Sequence, residues 1–142
     1  VDEIHFLPVQ PEDYTGHSDG MARFLENGKL LINDFSIESD TWQKKFKMAI
    51  DKIEPNPETL PYAHSKKKVD GDWTADGCYI NFAQIGNVII FPQFKIKEDR
   101  RALSKIKEMY LEPEYHVEPI DARIIAERGG VLNCMTWNIK TN

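Results

Sequence analysis

The sequence is poor in the features that define several protein classes. Its two cysteines, Cys78 and Cys134, are too few for a disulfide framework, and no cysteine or histidine has zinc-ligand spacing. No apolar run approaches the roughly 18 residues of a membrane-spanning helix, and no signal-peptide pattern is present. A net charge of −5 gives no broad basic surface. We therefore expect a cytoplasmic protein that binds no metal, nucleic acid or membrane.

The composition that remains is that of a globular domain. Hydrophobic residues make up 41% of the 142 positions and charged residues 29%, which is enough apolar material for one hydrophobic core.

Two turn dipeptides divide the chain into similar parts. Asn27-Gly28 and Gly86-Asn87 each lie between apolar stretches, and both dipeptides tolerate the positive φ of a tight hairpin turn. The first dipeptide predicts a hairpin, and the second predicts another whose leading strand runs over 79–85.

A helical pattern follows each predicted hairpin. Apolar residues at helical spacing predict helices over 41–53 and 98–110. Asp40, with Gln43 three residues later, is typical of an N-cap and capping box at the first helix. A short extended stretch follows each helix, at 60–64 and 115–120.

The two turns are 59 residues apart, which indicates a repeated ββαβ unit. We therefore predict an α+β fold in which modules at about 20–65 and 77–120 belong to a propeller-like array. Residues 5–9 are expected to form the last strand of a preceding unit. The segment 121–142 is expected to hold a short helix from Asp121 to Gly129 and then a strand over 131–136.

Two glycine-flanked segments carry the most reactive side chains of the sequence. Residues 16–20 contain His17 and Asp19, and residues 129–134 end in Cys134. In the repeat, both segments enter the first strand of a module, so they point toward one axis. From spacing alone, the commoner explanations of these residues are a buried strand cysteine, a surface histidine and a turn-capping aspartate.

Three motifs in order carry a family resemblance. Residues 14–24, 121–123 and 129–134 resemble the agmatine deiminase and Porphyromonas-type peptidylarginine deiminase family of the guanidine-modifying pentein superfamily. The likeness runs from about residue 3 to residue 137. It implies a propeller of five ββαβ modules around a central channel, of which this chain would hold about two.

The resemblance implies a role for each candidate residue. Cys134 would be the nucleophile, His17 the general acid and base, and Asp19 a ligand of the substrate guanidinium. Gly16 and Gly130 would allow the backbone to approach the substrate. The family needs no metal or organic cofactor.

The resemblance also implies hydrolytic deimination of a guanidino compound. Agmatine would give N-carbamoylputrescine and ammonia through a covalent cysteine thiouronium intermediate, a reaction of putrescine biosynthesis and arginine metabolism. Peptidylarginine deimination, amidino transfer to an amine and a non-catalytic binding domain are the alternatives.

The likeness covers the C-terminal part of such an enzyme. We therefore expect a fragment that is inactive alone, since the family's upstream carboxylates have no counterpart in it. Association with an N-terminal segment or as a homo-oligomer stays open.

Other residues are expected to be structural. Cys78 begins a strand-like stretch, and Arg23 and Arg123 are candidates for ion pairs. Asn133 stands where many family members have a histidine beside the cysteine. The remaining histidines lie in strand-like stretches: His5, His64 and His116.

Overall fold

The computed structural model describes residues 3–11, 13, 16–63, 67–137 and 139. Within these ranges, helices alternate with small sheets, which confirms the predicted α+β class. His64 and the first two residues of the motif at 14–24 lie outside the described residues.

The first turn dipeptide joins two antiparallel strands. Strands β1 (Ala22–Phe24) and β2 (Leu30–Asp34) pair across the turn, where Gly28 has φ +80°. Helix α1 (Asp40–Ile50) follows, and strand β3 (Glu58–Pro61) then pairs parallel to β2. The hairpin prediction is confirmed, and the observed helix lies close to the predicted 41–53.

The order of elements recurs after a two-stranded ribbon. The ribbon consists of β4 (Lys68–Val69) and β5 (Asp72–Trp73). The second sheet and its helix are β6 (Ala83–Ile85), β7 (Val88–Gln93), α2 (Asp99–Met109) and β8 (His116–Asp121). Strands β6 and β7 are antiparallel, and β8 is parallel to β7. The second predicted hairpin and helix are therefore confirmed.

Three short helical segments flank the second unit and the first hairpin. These are the 3-10 turn Ser18–Gly20, helix α3 (Arg123–Ala126) and the 3-10 turn Asn133–Met135. No helix among the described residues is long and apolar enough to span a membrane.

Helix α1 begins differently from the prediction. Asp40 is already helical, and the N-cap residue is Ser39, whose side chain makes no capping hydrogen bond. The backbone N–H of Gln43 donates to the Ser39 carbonyl at 2.9 Å, and its side-chain amide donates to the Glu38 carbonyl at 2.6 Å. The N-cap predicted at Asp40 is therefore wrong by one residue, and the predicted capping box does not form, since the Ser39 side chain makes no capping bond and the Gln43 side chain binds the Glu38 carbonyl.

Two apolar clusters form the core. The smaller one joins β2 to α1 through Phe35, which makes edge contacts with Trp42 and Phe46. The larger one surrounds β6 and β7 and includes Tyr79, Phe82 and Phe91, all fully buried. Burial of these large aromatic rings stabilises both clusters.

Three predicted strands differ from the structure. Only Ala83–Ile85 of the stretch 79–85 is a strand, because the Asn81 N–H donates to the Cys78 carbonyl and makes a turn. No strand forms over 131–136, because the Asn133 N–H donates to the Asn81 carbonyl instead of to a sheet. Residues 5–9 carry no strand assignment, although the Trp42 indole N–H donates to the Val9 carbonyl at 2.7 Å.

A carboxylate organises the turn before α2. Asp99 accepts hydrogen bonds from the backbone N–H groups of Phe94 and Lys95, the shorter at 2.7 Å, and from the Tyr79 hydroxyl at 2.7 Å. Lys95 has φ +58°, so its left-handed backbone depends on this support. Burial, followed by the hydrogen bond to Asp99, raises the pKa of Tyr79.

Replacing Asp99 with alanine is therefore expected to reduce the free energy of unfolding by about 2–4 kcal/mol, since three donors lose their acceptor. Asp40→Ala is the matched control, because Asp40 occupies the same place in α1 and is exposed. That control is expected to cost less than about 1 kcal/mol. Urea denaturation measures both values, and equal losses would contradict the role given to Asp99.

Candidate active site

Three segments that are distant in sequence meet at one carboxylate oxygen. Oδ2 of Asp19, in the first 3-10 turn, accepts hydrogen bonds from the side-chain amides of Asn81 at 2.8 Å and Asn133 at 3.0 Å. The Cys134 Sγ lies 3.4 Å from the same oxygen. Of the three residues expected to share one site, Asp19 and Cys134 are therefore in direct contact. Oδ1 of Asp19 accepts no hydrogen bond from the part of the chain that the structure describes.

Asn81 is the functional candidate that the sequence analysis missed. Asn81 is 2% exposed. Its side-chain Oδ1 accepts the Cys134 backbone N–H at 3.3 Å and lies 3.4 Å from the Cys134 sulfur. Its backbone carbonyl accepts the Asn133 N–H at 3.1 Å. The one available clue was a carboxamide inside an apolar run, since a buried polar side chain requires partners.

Arg23 holds the backbone on both sides of Asn81. Its Nη1 donates to the carbonyls of Ile80 at 3.3 Å and Phe82 at 2.7 Å. The guanidinium also lies 3.8 Å from the centre of the Phe82 ring, within the range of a cation–π contact. The expected ion pair of Arg23 is therefore replaced by carbonyl and aromatic contacts. Burial lowers the pKa of Arg23, while nearby Asp19 opposes that change.

Glycine is favoured at positions 16 and 130, the two glycines named as site residues, for different structural reasons. Gly130 packs against the nucleophile candidate: a Cβ at this position would lie 3.2 Å from Cβ and 3.3 Å from Sγ of Cys134. Gly16 has φ +72°, a left-handed conformation that favours glycine. The Gly16 and His17 N–H groups donate to the carboxylate of Asp13, the latter at 2.8 Å.

Opposing effects set the ionisation of Asp19 and Cys134. Burial raises the pKa of Asp19, but the hydrogen bonds from Asn133, Cys134 and Asn81 and the charge of His17 together lower it below its usual value. Burial, followed by the negative charge of Asp19, raises the pKa of the Cys134 thiol, and the nearby Val131 backbone opposes that shift. The arrangement therefore favours an ionised carboxylate beside a protonated thiol.

His17 lies on the same turn as Asp19. His17 is exposed, and it lines a cavity of about 220 Å³ together with Gly20 and Cys78. The charge of His17 is one of the influences that lower the pKa of Asp19. An exposed imidazole on the same turn as a carboxylate is able to transfer protons.

The second cysteine and second arginine behave as expected of structural residues. Burial raises the pKa of Cys78 to about 12, and its Sγ lies 3.6 Å from the Gly20 carbonyl oxygen. Arg123 makes the expected ion pair, with Nη2 2.8 Å from Oδ2 of Asp121. No group of three or more histidine, cysteine, aspartate or glutamate side chains among the described residues is arranged to hold a metal ion.

Solved structures show which fold this arrangement belongs to. The C. jejuni agmatine deiminase aligns over 93% of this chain with a TM-score of 0.68 and 23% identity, and the match covers 39% of that chain. The agmatine deiminase of Enterococcus faecalis aligns over 87% of this chain with a TM-score of 0.65 and 19% identity, covering 40% of its own length. At these identities the likeness establishes the shared fold.

Sequence relatives extend over nearly the whole chain. A protein of Shewanella baltica (strain OS223), provisionally named an agmatine deiminase, is 27% identical over 155 aligned positions that cover 92% of this chain. The chain spans 41% of the length of that relative. The family model described as Porphyromonas-type peptidyl-arginine deiminase matches residues 1–139. The chain therefore belongs to the Porphyromonas-type peptidyl-arginine deiminase family.

Proposed function

We propose that this chain supplies the nucleophile and one guanidinium-binding carboxylate of an enzyme that hydrolytically deiminates a guanidino compound. The observation that carries the proposal is the 3.4 Å separation between the Cys134 sulfur and Oδ2 of Asp19. A planar guanidinium that pairs with this carboxylate would have its central carbon beside the sulfur. Agmatine is the proposed substrate, with N-carbamoylputrescine and ammonia as products.

The substrate class also draws support from a relative. A solved structure of the C. jejuni agmatine deiminase, a cysteine-to-serine variant, has substrate bound. Peptidyl arginine is the second candidate, because the matching family model carries the name of a peptidyl-arginine deiminase. Both substrates present the same guanidinium and differ at the far end.

Asp19 would bind the substrate through its open oxygen. Oδ2 is engaged by its neighbours, whereas Oδ1 is free of hydrogen bonds from the described residues. A lowered pKa keeps the carboxylate ionised at neutral pH, which favours charge-assisted hydrogen bonds to guanidinium N–H groups. Neutralisation of this charge by the bound cation would in turn make the Cys134 thiolate less costly to form.

The reaction follows from these positions. The Cys134 thiolate attacks the guanidinium carbon and forms a C–S bond, and ammonia leaves with a proton from His17. Water then attacks the thiouronium carbon and gives a proton to His17. The C–S bond breaks as the hydroxyl of the adduct loses its proton to solvent, which releases the ureido product and the thiolate.

The proposal includes the larger architecture. The two sheets and their helices would be two modules, at about 20–65 and 77–120, of a five-module pentein propeller, and 121–142 would carry the nucleophile into its centre. Free thiols at Cys78 and Cys134 are compatible with a cytoplasmic enzyme.

Substitutions at the two contacting residues test the proposed function. In the longest polypeptide that the gene encodes, Cys134→Ser is expected to reduce ammonia release from agmatine to background, because a hydroxyl is a far weaker nucleophile. Asp19→Asn is expected to raise KM by about tenfold or more, since it removes a charge-assisted pair. Cys78→Ser is the control and should keep wild-type turnover. Wild-type activity in Cys134→Ser would refute the proposal.

The 142-residue chain alone is expected to release no ammonia from agmatine or from a peptidyl-arginine substrate. Asp19 is the one carboxylate that contacts Cys134 within the described ranges, and a bound guanidinium has further N–H edges that require acceptors. The measurement is an ammonia-release assay beside size-exclusion chromatography. Robust turnover by the monomeric chain would show that its own residues complete the site.

Thiol accessibility gives a third expected result. Iodoacetamide should alkylate Cys134 in the folded chain well before Cys78, because Cys134 is exposed while burial raises the pKa of Cys78 to about 12. Peptide mapping by mass spectrometry reports both sites, and unfolding in urea should remove the difference. Faster labelling of Cys78 in the folded chain would contradict the described environment of the two thiols.

A further inference from the structure

We propose that Asn81 is a positioning residue that fixes the distance between the Asp19 carboxylate and the Cys134 thiol. This inference rests on the proposed function and adds a residue that neither contacts the reacting carbon nor supplies charge. Its basis is a single buried carboxamide with hydrogen bonds to both partners.

The two ends of the Asn81 amide serve different partners. Nδ2 donates to Oδ2 of Asp19 at 2.8 Å, and Oδ1 accepts the backbone N–H of Cys134 at 3.3 Å. A carboxamide is suited to this task, because it has donors on one side and an acceptor on the other. Aspartate would lack the donor, and a hydroxyl group would be too short to span both contacts.

The position of Asn81 itself is well constrained. Its residue is 2% exposed, and Arg23 binds the carbonyls of Ile80 and Phe82 on either side of it. Its backbone carbonyl also accepts the Asn133 N–H at 3.1 Å. A carboxamide held in place just before β6 can therefore fix the positions of both Asp19 and Cys134. Cys134 needs such support because it is exposed on a short 3-10 turn.

The charged and titratable groups around the carboxylate come from several segments. His17 acts on Asp19 from the same turn, Arg23 acts from β1, and the thiols of Cys78 and Cys134 face it from the adjoining segments. Asn81 is neutral and does not change this balance of charge directly. Its contribution is the orientation of the carboxylate and the backbone at 134.

A pair of matched alkylating reagents tests the geometry on the 142-residue chain. Chloroacetamidine carries a planar cation that Asp19 can pair with, and chloroacetamide is its neutral analogue with the same leaving group. In both cases the Cys134 sulfur bonds to the methylene carbon, chloride leaves and the thiol proton passes to solvent. The ratio of the two rate constants at Cys134 therefore reports how well the carboxylate directs a cation to the sulfur.

Asn81→Ala is expected to reduce this ratio by about tenfold, the factor for loss of one ordinary hydrogen bond. Asn33→Ala is the matched control: Asn33 is also a buried carboxamide, at 1% exposure, but it donates to the Gly20 carbonyl at 2.6 Å. That control should keep the ratio within about twofold, whereas Asp19→Asn should reduce it at least as far as Asn81→Ala. A wild-type ratio in folded Asn81→Ala would overturn the proposal for Asn81 alone.

The same experiment separates this proposal from the proposed function. A wild-type ratio in Asp19→Asn would mean that the carboxylate does not direct the cation, which would overturn both. A reduced ratio in Asp19→Asn with no change in Asn81→Ala would leave the role of Asp19 intact and remove that of Asn81.

A second measurement requires no substitution at 81. In the ¹⁵N-labelled wild-type chain, the side-chain amide resonance of Asn81 should shift when Cys134 is alkylated and again when Asp19 is replaced with asparagine. The Asn33 amide should move less in both cases. An Asn81 chemical shift that is unchanged in both cases would overturn the proposal that Asn81 connects Asp19 to Cys134.

Discussion

One carboxylate oxygen ties together parts of the chain that are as much as 115 residues apart. Oδ2 of Asp19 receives two carboxamide donors and lies 3.4 Å from the Cys134 sulfur. Each of these groups sits on a turn just outside a regular element, so the site exists only when both sheet-containing units are folded. The cost of bringing these segments together is met by the two apolar clusters, and the polar contacts then fix one geometry among those the core allows.

Local chemistry made much of the fold predictable. Asn27-Gly28 and Gly86-Asn87 specify their turns through backbone preferences of the residues themselves, and the apolar spacing in 41–53 and 98–110 specifies helices with one buried face. The strand predicted over 131–136 failed for a tertiary reason. The N–H groups of Asn133 and Cys134 bind Asn81, which is remote in sequence, and no local pattern encodes that choice.

The candidate site, like the fold, was predictable where the signal is local and not where it depends on distant segments. Glycine-flanked segments pointed to Asp19 and Cys134, because reactive side chains beside flexible backbone stand out in a sequence. Asn81 was hidden in an apolar run and Arg23 was expected to pair with an acid, since their partners are backbone groups on another segment. Asn133, at a position where the family resemblance led us to expect histidine in many members, still donates a hydrogen bond to Asp19.

The central claim is that Cys134 becomes covalently bonded to the substrate carbon while Asp19 holds the guanidinium. The most direct measurement is acid quenching of the full gene product during turnover of agmatine, followed by peptide mapping of both cysteines by mass spectrometry. The account predicts an amidine-derived adduct on the peptide that contains Cys134, with Cys78 unmodified. Turnover without an adduct on Cys134, under conditions in which breakdown of the intermediate limits the rate, or an adduct on Cys78, would contradict it.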